Sequence, residues 1–258
     1  MNISLVQFAP VWEDAPANCA QVEALLAAAP PAPRALVVLP EMFATGFSMN
    51  VPRVAEPIDG PTVRFLKRLA VQHNAWLLAG VAVLQPDKSA CNEALAVSPT
   101  GEIISRYRKL FLFSYTNEPA HYRPGNQIAP FDCDGVRVSP VVCYDLRFPE
   151  AFRAASLDAT EVFGVLANWP DARIDHWNTL IKARAIENQA AVVGVNRIGQ
   201  DPTSAYSGQS QVIDAEGRTI LQAGEQRGVI TTNIDLSAQR AYRERFGALK
   251  DVRPALFR

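Results

Sequence analysis

The feature that most constrains this chain is an alternation of short apolar runs with helical patterns, sustained along the sequence without a linker or low-complexity tract. Residues 3–8, 35–39, 76–83, 93–98, 102–107, 136–142, 162–167 and 191–195 read as strands, each short and ended by proline, turn or charged residues. Residues 18–29, 61–74, 149–156 and 175–189 read as helices. The second of these has an early proline and an apolar face of Val63, Leu66, Leu69 and Ala70. The last has Asp175 as its expected N-cap. Residues 209–214, 219–222 and 228–233 read as antiparallel strands turning around Glu216-Gly217 and Gly224. This order predicts an α/β fold and a single domain over residues 1–258.

With 48% hydrophobic and 20% charged residues, the chain can bury a large core. The net charge is −1 and the basic residues are scattered, so neither a nucleic-acid face nor an anionic-membrane patch is expected. No apolar run approaches the ~20 residues that span a bilayer. Residues 1–10 lack the basic start and apolar centre of a signal peptide. A cytoplasmic protein is expected. Cys19, Cys91, Cys133 and Cys143 form no Cys-x-x-Cys pair, and His73, His121 and His176 are not spaced as metal ligands. No metal and no cofactor are expected.

Ligands of α/β sheets collect at the carboxyl ends of strands. Here Glu41 follows the run ending at Leu39-Pro40, Lys109 the run ending near Tyr107, and Cys143 the pair Val141-Val142. Asn168-Trp169 and Asn196-Arg197 hold equivalent places. Taken singly, these are a solvated carboxylate, a surface charge and a small buried hydrophobe. Taken together, they fit what a thiol nucleophile requires, a base and a donor for the oxyanion. A thiol facing a helix start gains from the backbone dipole. A neighbouring carboxylate raises its pKa and an ammonium lowers it, so its resting ionisation stays open. A serine hydrolase is disfavoured, because Gly208-Gln-Ser210-Gln lacks the second glycine of a nucleophile elbow.

Five motifs fall in order along the chain. They are Leu39-Pro-Glu41-Met-Phe43, Tyr107-Arg-Lys109-Leu, Val142-Cys143-Tyr-Asp-Leu-Arg-Phe-Pro149, Ala167-Asn-Trp169-Pro and Arg184-Ala-Ile-Glu-Asn188. In this order the chain resembles the nitrilase, or carbon–nitrogen hydrolase, superfamily. The resemblance implies a four-layer α-β-β-α sandwich with Glu41, Lys109 and Cys143 as a Glu-Lys-Cys triad. It also implies a second glutamate after the lysine, for which Glu118 is the candidate, and an oxyanion site between Lys109 and the backbone N–H of Tyr144.

Within the superfamily the chain looks most like the ω-amidase branch. That branch hydrolyses the terminal amide of 2-oxoglutaramate or 2-oxosuccinamate, to the acid and ammonia, through a cysteine thioester. Cys-Tyr-Asp-x-Arg-Phe also occurs in the deaminated-glutathione amidase branch. Amidases of ureido substrates, true nitrilases and a non-catalytic binding protein on the same fold are the alternatives. For an amide with a distal carboxylate, Arg147 and Arg173 are the candidate guanidinium partners. Phe43, Tyr115 and Trp169 are the candidate walls, with His121 at the border. The resemblance further implies a homodimer or higher oligomer. Residues 240–258, with Tyr242, Phe246, Leu249, Leu256 and Phe257, would cross to the partner.

Overall fold

The computed structural model describes residues 1–253. In chain order the elements are β1 (Asn2–Gln7), α1 (Ala15–Ala28), β2 (Leu36–Val38), α2 (Val51–Val54), β3 (Glu56–Pro57), α3 (Pro61–His73), β4 (Trp76–Leu84), β5 (Ala90–Val97) and β6 (Ile103–Arg108). Then follow β7 (Phe131–Cys133), β8 (Val136–Val142), α4 (Pro149–Leu157), β9 (Val162–Ala167), α5 (Ile174–Asn188) and β10 (Ala191–Asn196). The last are β11 (Ile198–Gln200), β12 (Ala205–Ser207), β13 (Gln211–Ile213), β14 (Thr219–Gln222), β15 (Gly228–Asn233) and α6 (Leu236–Arg245).

The strands form two large sheets. One has the order β15-β1-β2-β4-β5-β6, with β3 beside β4; the other has the order β14-β13-β10-β9-β8-β7. Each is parallel in its centre, through β1-β2-β4 and through β8-β9-β10, and antiparallel towards its edges. The buried centres explain the near-continuous apolar runs in the sequence.

Alternation along the strands divides the core into three layers. Ile3, Leu5, Val38 and Leu78 of the first sheet meet Val138, Val162, Leu166 and Val193 of the second. The opposite face of the first sheet packs Val6 and Leu77 against Val22 and Leu26 of α1 and Leu66 and Leu69 of α3. The opposite face of the second sheet packs Phe163 and Val165 against Phe152 of α4 and Trp177 and Ile181 of α5. One residue of strand shift would exchange these faces, so the period of two fixes the register. The result is the expected α-β-β-α sandwich.

Several boundaries differ from the expectation. The first helix starts at Ala15, three residues early, because Asp14 caps it by accepting from the Ala17 N–H at 3.0 Å. Asp175 is not an N-cap: α5 begins at Ile174, and Asp175 lies in its first turn, where a carboxylate still suits the positive helix end. The β11-β12 hairpin and α6 carry no strong periodicity and were not anticipated. Helix α6 docks on its own chain, with Arg243 donating to Gln189 O and Thr160 O at 2.7 and 2.6 Å. Phe246 beyond it is exposed, while Leu256 and Phe257 lie outside the described residues. Among the described residues no helix is long and apolar enough to cross a membrane, and no three His, Cys, Asp or Glu side chains are grouped to hold a metal.

Candidate active site

Glu41 leaves β2 through Leu39-Pro40 and is fully buried. Its loop presses against β4 at Gly80, where a Cβ would sit 2.5 Å from the Glu41 Cα and 2.7 Å from the Met42 nitrogen. Only glycine fits there. Met42 then turns the chain with a φ of +43°. The loop is buttressed from α1, where buried Asn18 donates to Ala44 O at 2.7 Å.

Lys109 enters from the end of β6, in the same sheet, and is equally buried. Its Nζ donates to Glu41 Oε1 at 2.9 Å and lies 2.9 Å from Glu118 Oε2. Asn92 on β5 donates to the same two carboxylates, at 2.7 Å to Glu41 and 3.1 Å to Glu118. The second Glu41 oxygen accepts from the Asn168 backbone N–H at 3.0 Å, and the second Glu118 oxygen from the Phe113 N–H at 2.6 Å. Burial works against the Lys109 charge, but Glu41 and Glu118 outweigh it and hold the ammonium above the usual lysine range.

Cys143 comes from the second sheet, at the junction of β8 with a 3₁₀ turn over Cys143–Arg147. Its φ is +47°, an unusual conformation for a residue with a side chain. The thiol donates to Asn168 O at 3.7 Å, and the Asn168 N–H in turn donates to Glu41 at 3.0 Å. Burial, then the Glu41 charge, pushes the thiol well above its ordinary value, against the opposing pull of Lys109. Both effects favour the protonated thiol. Tyr144 lies in the first turn, where backbone N–H groups have no intrahelical acceptor.

Cys143 and Lys109 open into a cavity of about 280 Å³. Tyr115, Tyr144, Arg147, Trp169 and Arg173 line it, together with Phe47, Phe113 and the β11-β12 residues Thr203, Ser204 and Tyr206. Arg147 does not pair with Asp145 or Glu150. Its guanidinium lies over the Trp169 ring at 4.7 Å and donates towards His176 Nδ1 at 3.2 Å. Burial, then the charge of Arg173, lowers its pKa. Arg173 lies between the rings of Phe113 and Tyr115, at 5.6 and 5.8 Å. No carboxylate lines this cavity among the described residues.

One expected wall residue, Phe43, and the expected border residue, His121, are elsewhere. Phe43 is fully buried and stacks on Phe65 in the layer between the first sheet and its helices. The turns at Met42 and Gly46, both at positive φ, carry Phe47 to the cavity instead, with its ring 4.8 Å from the Lys109 Nζ. His121 is exposed and is not part of the cavity lining. Asn92, which donates to both carboxylates, has no place in the sequence reading, and Asn168, which donates to Glu41, is marked there only by its position after a strand. The signal for Asn92 is a polar residue inside the run Ala90-Cys-Asn-Glu-Ala94; for Asn168 it is the position directly after β9.

The carbon–nitrogen hydrolase family model matches residues 2–244. The chain is 40% identical to the ω-amidase YafV of Yersinia enterocolitica, over 98% of this chain and 96% of that one. It is 33% identical to the 2-oxoglutaramate amidase of Bacillus subtilis, over 86% of each. A carbon–nitrogen hydrolase superfamily protein of Xanthomonas campestris, solved with an arsenic adduct in its active site, superposes with a TM-score of 0.92 at 36% identity, covering 98% of this chain and 97% of that one. The two-sheet sandwich, with Glu41 and Lys109 brought from one sheet to a cysteine of the other, therefore belongs to the carbon–nitrogen hydrolase family.

Proposed function

We propose that this protein hydrolyses the terminal amide of 2-oxo-dicarboxylic acid monoamides, 2-oxoglutaramate and 2-oxosuccinamate, through a thioester on Cys143. The observation that carries the substrate class is the pair Arg147 and Arg173. Both face the cavity that holds the thiol, and neither makes an ion pair within 4.0 Å among the described residues. Two unneutralised guanidinium forks opposite a nucleophile suit the carboxylate and 2-oxo end of such a substrate. The cavity is at the small end of ligand sites, which favours a short diacid amide over a tripeptide-length one. The ω-amidase and 2-oxoglutaramate amidase relatives support the same reading.

In this scheme Glu41 takes the Sγ proton as the sulfur attacks the amide carbon. The oxyanion is met by the Lys109 ammonium and the Tyr144 N–H; one such donor is worth ~10²–10³ in rate. Protonated Glu41 passes its proton to departing ammonia, leaving the thioester. Water, deprotonated by Glu41, then releases the acid and restores the thiol. Glu118 keeps Lys109 charged and in place throughout. A cytoplasmic location is proposed with it, and a free Cys143 thiol beside unpaired Cys19, Cys91 and Cys133 suits such a reducing compartment. It is further proposed to act as a homodimer, which sedimentation velocity tests directly.

The deciding experiment is an ammonia-release panel of 2-oxoglutaramate, 2-oxosuccinamate, glutamine, deaminated glutathione, a ureido acid and a simple nitrile. The two oxo-acid amides are expected to give the highest kcat/KM. A higher value for any other member overturns the assignment.

A further inference from the structure

We infer that Asp145 is a positioning residue that locks the Lys109 loop to the Cys143 turn and thereby sets the geometry between ammonium and thiol. Lys109 hangs from β6 in one sheet and Cys143 from β8 in the other, so no strand pairing fixes their separation. Asp145 supplies that link. Its carboxylate is fully buried. One oxygen accepts from the Phe111 N–H at 2.8 Å. The other accepts from the Tyr107 hydroxyl at 2.8 Å and from the Val142 N–H at 3.1 Å. Tyr107 and Phe111 bracket Lys109 two residues to either side, and Val142 directly precedes Cys143. A single side chain thus grips both flanks of the ammonium-bearing segment and the backbone that aims the nucleophile.

The chemistry of the partners requires a carboxylate. The Phe111 and Val142 N–H groups can only donate, and Tyr107 donates as well. An amide at position 145 would have to turn its own N–H₂ towards at least one of them. Burial pushes the Asp145 pKa up to about 7, opposed by these three hydrogen bonds and by the Lys109 charge. Packing alone would be served at lower cost by an apolar residue, since a desolvated carboxylate without an ion-pair partner is expensive. The cost is explained by a connection that an apolar side chain cannot make.

This inference rests on Lys109 and Cys143 acting as a pair, though not on the identity of the amide. Asp145→Asn and Tyr107→Phe in the full chain test it. The readouts are kcat and KM for 2-oxoglutaramate, the rate at which iodoacetamide alkylates Cys143 at one fixed pH, and Tm. Asp145→Asn is expected to lower kcat at least ~10-fold and to slow alkylation comparably, with KM within about twofold, since a misplacement near 1 Å costs up to ~10² in rate. Tyr107→Phe removes one of three bonds and is expected to give a smaller loss of the same kind, about two- to fivefold. A merely structural Asp145 would move Tm while leaving the kcat and alkylation rate of the folded enzyme as they were, and that result overturns the inference. So does a change confined to KM. Should Asp145→Asn fail to fold, a folded Tyr107→Phe with unaltered kcat and alkylation rate is equally decisive. If the wild-type enzyme ignores 2-oxoglutaramate, the substrate assignment fails, and the alkylation rates still judge Asp145.

Discussion

The floor and the mouth of the cavity are built on opposite principles. At the floor, Glu41, Lys109, Glu118 and Asn92 are shut away from solvent and each makes at least two polar contacts with the others. At the mouth, Tyr115 is 83% exposed, and Arg147 and Arg173 rest on aromatic faces with few hydrogen bonds. The floor is rigid because every buried charge there must be satisfied. The mouth keeps its cations under-satisfied, which leaves them free to bind an anion. In the proposed scheme the first region carries the chemistry and the second the selectivity.

Substitutions at the floor should therefore strike kcat, and hardest. Cys143→Ala is expected to lower ammonia release by ~10⁴ or more, because no second nucleophile can form the acyl-enzyme. Activity surviving that change in single-turnover assays would remove the thioester from the scheme. Lys109→Met should cost ~10²–10³ in kcat through the lost oxyanion donor. It should also cost about 3–5 kcal/mol of stability, since it leaves Glu41 and Glu118 as uncompensated buried carboxylates. Chemical denaturation at pH 7 measures the second effect. A Lys109→Met enzyme as stable as wild type would mean that the floor is less tightly coupled than its geometry implies.

The mouth should behave differently. Arg147→Met and Arg173→Met are each expected to raise KM for 2-oxoglutaramate about 10- to 100-fold, the worth of one charge-assisted hydrogen bond, with kcat changed much less. A neutral amide lacking the distal carboxylate should show no such change. Equal effects on both substrates would mean that the arginines hold the cavity walls and do not read the substrate.

This division also decided what could be read from the sequence. Glu41 and Cys143 were legible as candidates because each follows an apolar strand, a position that aims a side chain at one rim of an α/β fold; Lys109 follows the mixed strand Ile103–Arg108, and the order of the family-like motifs joined it to the other two. The alternation of strands and helices made an α/β domain legible, while the stacking of two sheets into a four-layer sandwich was legible only through the family resemblance of the ordered motifs. The wall residues were not. Phe43 and Phe47 are four apart in an irregular loop, and only the positive φ angles at Met42 and Gly46 decide which of them faces the cavity. Asn92 was hidden because a polar residue on a buried strand looks like a defect until its two carboxylate partners, from distant segments, are in place. The β11-β12 hairpin was missed because each strand is only three residues long.

The thiol offers a pH test of the insulated floor. Burial and Glu41 raise the Cys143 pKa well above its ordinary value, so the protonated form dominates at neutral pH. Below that pKa the thiolate fraction grows about tenfold per pH unit. Iodoacetamide labelling of Cys143, without substrate, should climb steadily from pH 7 to 9. A plateau already reached at pH 7 would mean that Lys109 outweighs burial and Glu41, and that the enzyme rests as a thiolate-ammonium pair.

The smallest effect is expected at the outer edge of the mouth. The Arg147 guanidinium has only donors, so in its contacts at 3.2 and 3.3 Å the His176 Nδ1 is the acceptor. This contact is exposed, on the first turns of α5, and such contacts are worth about 0.5–1 kcal/mol. His176→Ala should raise KM for 2-oxoglutaramate about two- to fivefold by letting Arg147 swing from its place over Trp169. His176→Asn, whose side-chain oxygen can also accept, should recover part of the loss. A loss as large as that of Arg147→Met would show that Arg147 has no preferred position without its histidine. The mouth would then depend on oriented hydrogen bonds as the floor does, and the contrast between the two regions would be one of exposure alone.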